Sequence, residues 1–112
     1  MFSEIKLFQV NPAKVAEFEA LIAEISERQR QQPGCTLLRY QKRFFVLDEM
    51  QPRELTKIVK CVKYYSYWEF DGKESYTAAT RWFFATHVMA IQKLLIMPFD
   101  ISLGENLEAH KV

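Results

Sequence analysis

Glycine is scarce and dispersed. Gly34, Gly72 and Gly104 are the only three in 112 residues, so a glycine-rich loop that cradles phosphate cannot form. Histidine is scarcer, with His87 and His110 alone. No Cys, His or carboxylate cluster has ligand spacing, and no metal site is expected. The two cysteines, Cys35 and Cys61, are too few for a disulfide framework and read as reduced thiols of a cytoplasmic protein. Neither sign of charge is in excess: 15 Lys and Arg against 14 Asp and Glu leave a net +1. That balance favours neither nucleic acid nor an anionic membrane as partner. No apolar run approaches the roughly 20 residues needed to span a bilayer, and Met1 to Lys6 lacks the pattern of a secretory signal.

Aromatic residues are abundant. Nine Phe, five Tyr and two Trp make up 14% of the chain, which calls for a large core or a lined pocket. The length implies a single domain over residues 1–112.

Phe2 to Val10 reads as a strand with apolar residues on both faces. Asn11-Pro12 then starts a helix, since Asn caps free backbone amides and Pro at the first position loses no bond. Val15, Phe18, Ile22 and Ile25 form its apolar stripe. Pro33-Gly34 ends it. Cys35 to Leu47 is expected as a second strand, Asp48 to Leu55 as a polar connection, and Thr56 to Phe70 as a third strand. Lys73 begins a helical region, bent or broken near Thr80, that runs to about Ile96 before Pro98. Phe99 to Leu107 is the last strand, with Gly104 as a bulge.

The order is β-α-β-β-α-β. It implies an α+β, ferredoxin-like fold: an antiparallel sheet with both helices on one face. In the third strand Tyr64 and Trp68 point to one face and Tyr65 and Tyr67 to the other. An aromatic face away from the helices needs a cover, most simply a second copy of the chain. If the second and third strands pair, Cys35 falls opposite a residue near Trp68. Cys61 then lies about six residues along, roughly 20 Å. That is beyond the reach of a disulfide, about 7 Å, so two buried free thiols are expected. Arg39, Lys42, Arg43, Lys57, Lys60 and Lys63 fall on these strands, as a solvated end of the sheet or as an attractor of an anionic substrate or a flavin phosphate.

Four features resemble the antibiotic biosynthesis monooxygenase (ABM) family of dimeric α+β barrels. They are Asn11-Pro12 with Phe18 on the following stripe, the junction Gln32-Pro33-Gly34-Cys35, the strand end Tyr67-Trp68-Glu69 followed by Lys73-Glu74-Ser75-Tyr76, and His87 in the helix beyond. The resemblance covers nearly the whole chain. It implies a homodimer with one apolar pocket per subunit. The activity it implies is a monooxygenase that needs no cofactor and acts on a small aromatic or quinol-like compound. The alternatives are a non-catalytic module of the same fold that binds an apolar small molecule, and a haem-binding or haem-degrading protein. For haem degradation the family pattern adds an Asn on the first strand and a Trp on the second helix. Phe2 to Val10 has no Asn, and Thr77 and Ala78 stand where the Trp is expected, which argues against it. Residues 47–55 exceed the usual link of the family.

His87 is the one group of the expected core that titrates near neutral pH. It lies on the shoulder of a stripe centred on Phe84, Val88, Ile91 and Leu95, beside Phe83 and Leu94. One reading is a general base that removes a phenolic proton, leaving an electron-rich anion to react with oxygen. The other is a histidine hydrogen-bonded within a packed core. Trp68, Tyr64, Tyr65, Tyr67 and Phe83 are candidate walls for a planar substrate, or core and interface packing.

Overall fold

Six strands and two helices follow one another in a computed structural model that describes residues 1–57 and 60–112. Strand β1 is Phe2–Val10, β2 Cys35–Lys42, β3 Phe45–Asp48, β4 Gln51–Glu54, β5 Val62–Phe70 and β6 Asp100–Glu105. Helix α1 is Val15–Gln29 and α2 is Lys73–Gln92. Four strands form one antiparallel sheet in the order β2-β5-β1-β6, and β3 pairs with β4 as a separate hairpin. This is the ferredoxin-like arrangement with a hairpin inserted between its second and third strands.

The expected strand at Phe2–Val10 has the observed bounds. Asn11 accepts a hydrogen bond from the Ala13 amide at 2.9 Å, capping a 3-10 turn over Pro12–Lys14 that leads into α1. Buried Phe18, Ile22 and Ile25 press α1 on the sheet. Gly34 has a left-handed φ of 82°, and a Cβ there would meet Ser75 Cβ at 2.6 Å and Asp71 Oδ1 at 2.7 Å. A glycine at this junction therefore lets the start of β2 approach the start of α2.

Several expectations are corrected. The expected second strand, Cys35 to Leu47, ends at Lys42; its last residues, Phe45 to Leu47, join the segment read as a polar connection in the β3–β4 hairpin, whose turn places Glu49 and Met50 at positive φ. The third strand begins at Val62 rather than Thr56; positions 58–59 of that expected span lie outside the described residues. Helix α2 is continuous through Thr80 and stops at Gln92. Beyond it the backbone turns to β1: the Asn11 amide donates to the Leu94 carbonyl and the Ile96 amide to the Gln9 carbonyl, each at 2.9 Å. Gly104 pairs regularly with Ser3, so β6 has no bulge there; the irregularity lies at Cys35/Leu37 in β2. The buried row of α2 is Tyr76, Ala79, Phe83 and Ile91, whereas Phe84 is 46% exposed. The stripe is thus rotated by one residue, and His87 lies on its line rather than its shoulder.

Both cysteines are free and half-buried rather than fully buried. Cys35 pairs with Phe70, nine residues from Cys61, which is roughly 30 Å along the ladder at ~3.3 Å per residue. Among the described residues no helix is long and apolar enough to cross a membrane.

Candidate functional site

Alternation along β1 and β5 decides what meets the helices. On that face β1 presents Glu4, Lys6, Phe8 and Val10, and β5 presents Val62, Tyr64, Ser66, Trp68 and Phe70. Two charged residues therefore sit in the middle of an otherwise uncharged layer. The register puts Trp68 directly across from Glu4, and Ser66 across from Lys6.

The Lys6 ammonium donates to Glu4 Oε1 at 2.5 Å. The Tyr76 hydroxyl, from the first turns of α2, donates to Glu4 Oε2. Both carboxylate oxygens are thus engaged, as a buried carboxylate requires. The ammonium also lies 4.0 Å from the centroid of the Phe83 ring, 5.2 Å from that of Trp68 and 6.0 Å from that of Phe99. Burial lowers the proton affinity of Lys6 below its ordinary value, and the neighbouring Glu4 opposes that shift. Burial and the bond to Glu4 push the Tyr76 hydroxyl above the ordinary phenol range.

Phe83 joins this cluster to the histidine. Its ring centroid is 6.0 Å from Trp68 and 6.1 Å from His87, and Trp82 meets His87 edge-on at 5.0 Å. Trp68 Nε1 and His87 Nε2 are buried with no hydrogen-bond partner among the described residues. Burial depresses the proton affinity of His87, Arg28 on α1 adds to the effect, and Glu24 opposes it. The imidazole is therefore neutral near pH 7, and a neutral ring with Nδ1 protonated carries a lone pair on Nε2.

The six residues expected to build a site are divided by the sheet. Trp68, Phe83 and His87 form one run of touching rings. Tyr64 shares their face but sits toward α1, with its ring 4.7 Å from Phe18 and its hydroxyl donating to Glu19. Glu19 also pairs with Lys42 at 2.8 Å. A groove of ≈ 280 Å³ opens there between Phe18, Ile22, Tyr40, Lys42 and Tyr64. Tyr65 and Tyr67 lie on the opposite face of the sheet, so they share no pocket with Trp68 within one chain. Tyr67 donates to Glu69 at 2.8 Å, and Asn106 and Thr36 donate to the same carboxylate.

Glu4 and Lys6 escaped the sequence reading, and Tyr76 entered it only as part of the resemblance. The signal was present: Glu4 and Lys6 share alternation with Phe8 and Val10 in a strand whose two flanks are both paired.

No protein-family model matches the sequence, and no curated protein matches it. Solved structures do. A Deinococcus radiodurans protein assigned to the antibiotic biosynthesis monooxygenases superposes with a TM-score of 0.74 over 100% of this chain and 98% of its own, at 18% identity. The chain has the fold of the antibiotic biosynthesis monooxygenases. SnoaB, a cofactor-independent oxygenase from Streptomyces nogalater, matches as a mutant with a TM-score of 0.68, 18% identity and coverage of 96% and 94% of the two chains. A monooxygenase from the ActVA-Orf6 gene of Streptomyces coelicolor, in complex with nanaomycin D, gives 0.69, 16% identity and coverage of 99% and 91%. At these identities the likeness establishes the ABM fold alone.

Proposed function

We propose that this protein is a monooxygenase that uses no cofactor and acts on a small aromatic or quinol-like substrate at the Trp68–Phe83–His87 cluster. One observation carries the reading: the two rings that bear buried nitrogens without a partner among the described residues, Trp68 and His87, both meet the ring of Phe83. An unmet buried polar group costs about 1–3 kcal/mol, and such groups collect where a ligand completes them. The aromatic walls suit a planar ring.

In this reading His87 Nε2 takes the phenolic proton and Trp68 Nε1–H donates to the substrate oxygen. The electron-rich anion reduces dioxygen; one oxygen atom becomes a new carbonyl of the quinone product, and the other leaves as water with the proton held by His87 and the displaced ring hydrogen, so the substrate supplies all four electrons. Tyr64 closes the same face toward α1. The fold shared with SnoaB and the ActVA-Orf6 monooxygenase supports this class of chemistry.

The test is oxygen uptake with a panel of quinols and polycyclic phenols, without added metal or flavin. His87→Gln keeps hydrogen-bonding capacity but is no base near neutral pH. Turnover by the parent protein and a loss of about 10²–10⁴-fold in the variant are expected. Full turnover in folded His87→Gln removes the assignment of the base.

A second reading, a non-catalytic binder of an apolar small molecule, is favoured by the groove beside Tyr64. Ligand retained by the purified protein with no oxygen uptake on any quinol selects it.

A further inference from the structure

The basic residues of the middle strands gather at one place. A cavity of ≈ 140 Å³ opens at the base of the β3–β4 hairpin, where β2 ends and β5 begins. Three cations line it, Arg43, Lys57 and Lys63, together with Cys61 and apolar Phe44, Leu55 and Val62. No carboxylate is among its lining residues. Among the described residues none of the three cations is in an ion pair, whereas Lys42 holds Glu19 and Arg53 holds Asp48. Ile58 and Val59, which follow Lys57 in the sequence, carry no charge.

Two of these cations oppose each other. Lys42 pairs with Tyr64 in the β2–β5 register, and the next backbone bond runs from the Arg43 amide to the Lys63 carbonyl at 2.9 Å. Arg43 and Lys63 are therefore directly across from one another. Like charges so placed destabilise a pair of strands. The whole chain has a net charge of only +1, so this excess is local. An anion in the cavity replaces the repulsion with two attractions.

We propose that this cavity binds the phosphate group of a small aromatic phosphate monoester. Such a group carries nearly two negative charges near pH 7. Arg43 offers it a planar fork of donors, and Lys57 and Lys63 act as point charges. The cavity has room for about five water-sized atoms at roughly 30 Å³ each, the size of one phosphate group. The aromatic body then lies outside, against Phe44 and Phe45. These rings are 37% and 53% exposed and meet edge-on at 5.7 Å, a shelf on which a flat ring can stack. The site is separate from the Trp68–Phe83–His87 cluster. Val62 and Trp68 stand six residues apart on β5, roughly 20 Å at ~3.3 Å per residue.

The probe is phenyl phosphate, titrated calorimetrically into the full chain in phosphate-free buffer, with inorganic phosphate as the comparison that lacks the ring. Saturable binding at one site per chain is expected, tighter for phenyl phosphate than for inorganic phosphate. Bound probe should also raise the unfolding temperature, because it binds the folded chain alone. Arg43→Gln should weaken binding about tenfold or more, the effect of losing a hydrogen bond to a charged group. Arg43→Gln combined with Lys63→Gln should abolish it. Without ligand, that double variant should unfold at the parent's temperature or above it, since the opposed charges are gone, so its loss of binding is not a loss of fold. Failure of phenyl phosphate to bind, or undiminished binding by the double variant, overturns the proposal. A lower unfolding temperature of the ligand-free double variant removes the repulsion on which the site rests. Inorganic phosphate binding as tightly as phenyl phosphate overturns the aromatic class.

Discussion

Glu4 and Lys6, two residues apart on β1, form an ion pair at 2.5 Å with side-chain exposures of 0% and 1%. Because β1 is flanked by β5 and β6, neither charge can reach solvent by twisting off an edge. Desolvating two ions costs several kcal/mol each, and such a pair gains little over apolar residues of the same size. Its place in the middle of the core is therefore not in itself a source of stability.

Removing one charge should be far worse than removing both. Lys6→Met leaves a buried carboxylate with one hydroxyl donor and is expected to lose about 3–5 kcal/mol. Glu4→Gln with Lys6→Met should recover most of that loss. Urea unfolding of the two proteins measures the difference. Equal stability of the single variant and the parent would mean that water reaches the pair.

His87 should titrate below the ordinary histidine range, because burial and Arg28 disfavour its charged form. The unfolded chain, with a histidine value of about 6.5, then binds more protons than the folded one between the two values. Its contribution to stability is complete above the unfolded value and is lost as pH falls through the folded one. An NMR titration of the two histidine ring signals, with His87→Gln to assign them, gives the value directly. A raised value would place a carboxylate closer than Glu24 now acts.

Gly34→Ala should destabilise the protein by about 1–3 kcal/mol, since a Cβ must be held at a φ of 82° against Ser75 and Asp71. Thermal unfolding tests this. Gly104→Ala is the control, because a Cβ there meets nothing within 4 Å.

The element order was legible because each element carries its own period or punctuation. Asn11-Pro12, Pro33-Gly34 and the alternation of β5 fixed the main sheet. The β3–β4 hairpin was not legible, for physical reasons. Its second strand, Gln51-Pro52-Arg53-Glu54, is exposed throughout and shows no apolar alternation. Its turn uses Glu49 and Met50 at positive φ, where Gly or Asn would have announced it. The stripe of α2 was misplaced because adjacent Phe83 and Phe84 fit a helical period equally well, and only packing against Trp68 and Lys6 chooses Phe83. In the candidate site the aromatic members stood out by type. Glu4 and Lys6 did not, since charged residues in a strand usually face water.

The face of the sheet away from the helices carries the last prediction. Ile5 is 46% exposed there, and with Arg39, Gln41, Tyr65 and Tyr67 it lines a shallow groove of ≈ 270 Å³. Both helices lie on the other face, and among the described residues neither of them covers this one. We propose that a second copy does, with the tyrosine rings packing across the interface and Arg39 at its margin. Light scattering at micromolar concentration should then give about twice the chain mass of 13.3 kDa. Tyr65→Glu should shift the population toward monomer, because it buries an unpaired carboxylate in the contact, while leaving the fold of the isolated chain intact by circular dichroism. A parent protein that stays monomeric at high concentration would remove the interface and leave the Trp68–Phe83–His87 cluster, on the opposite face, unaffected.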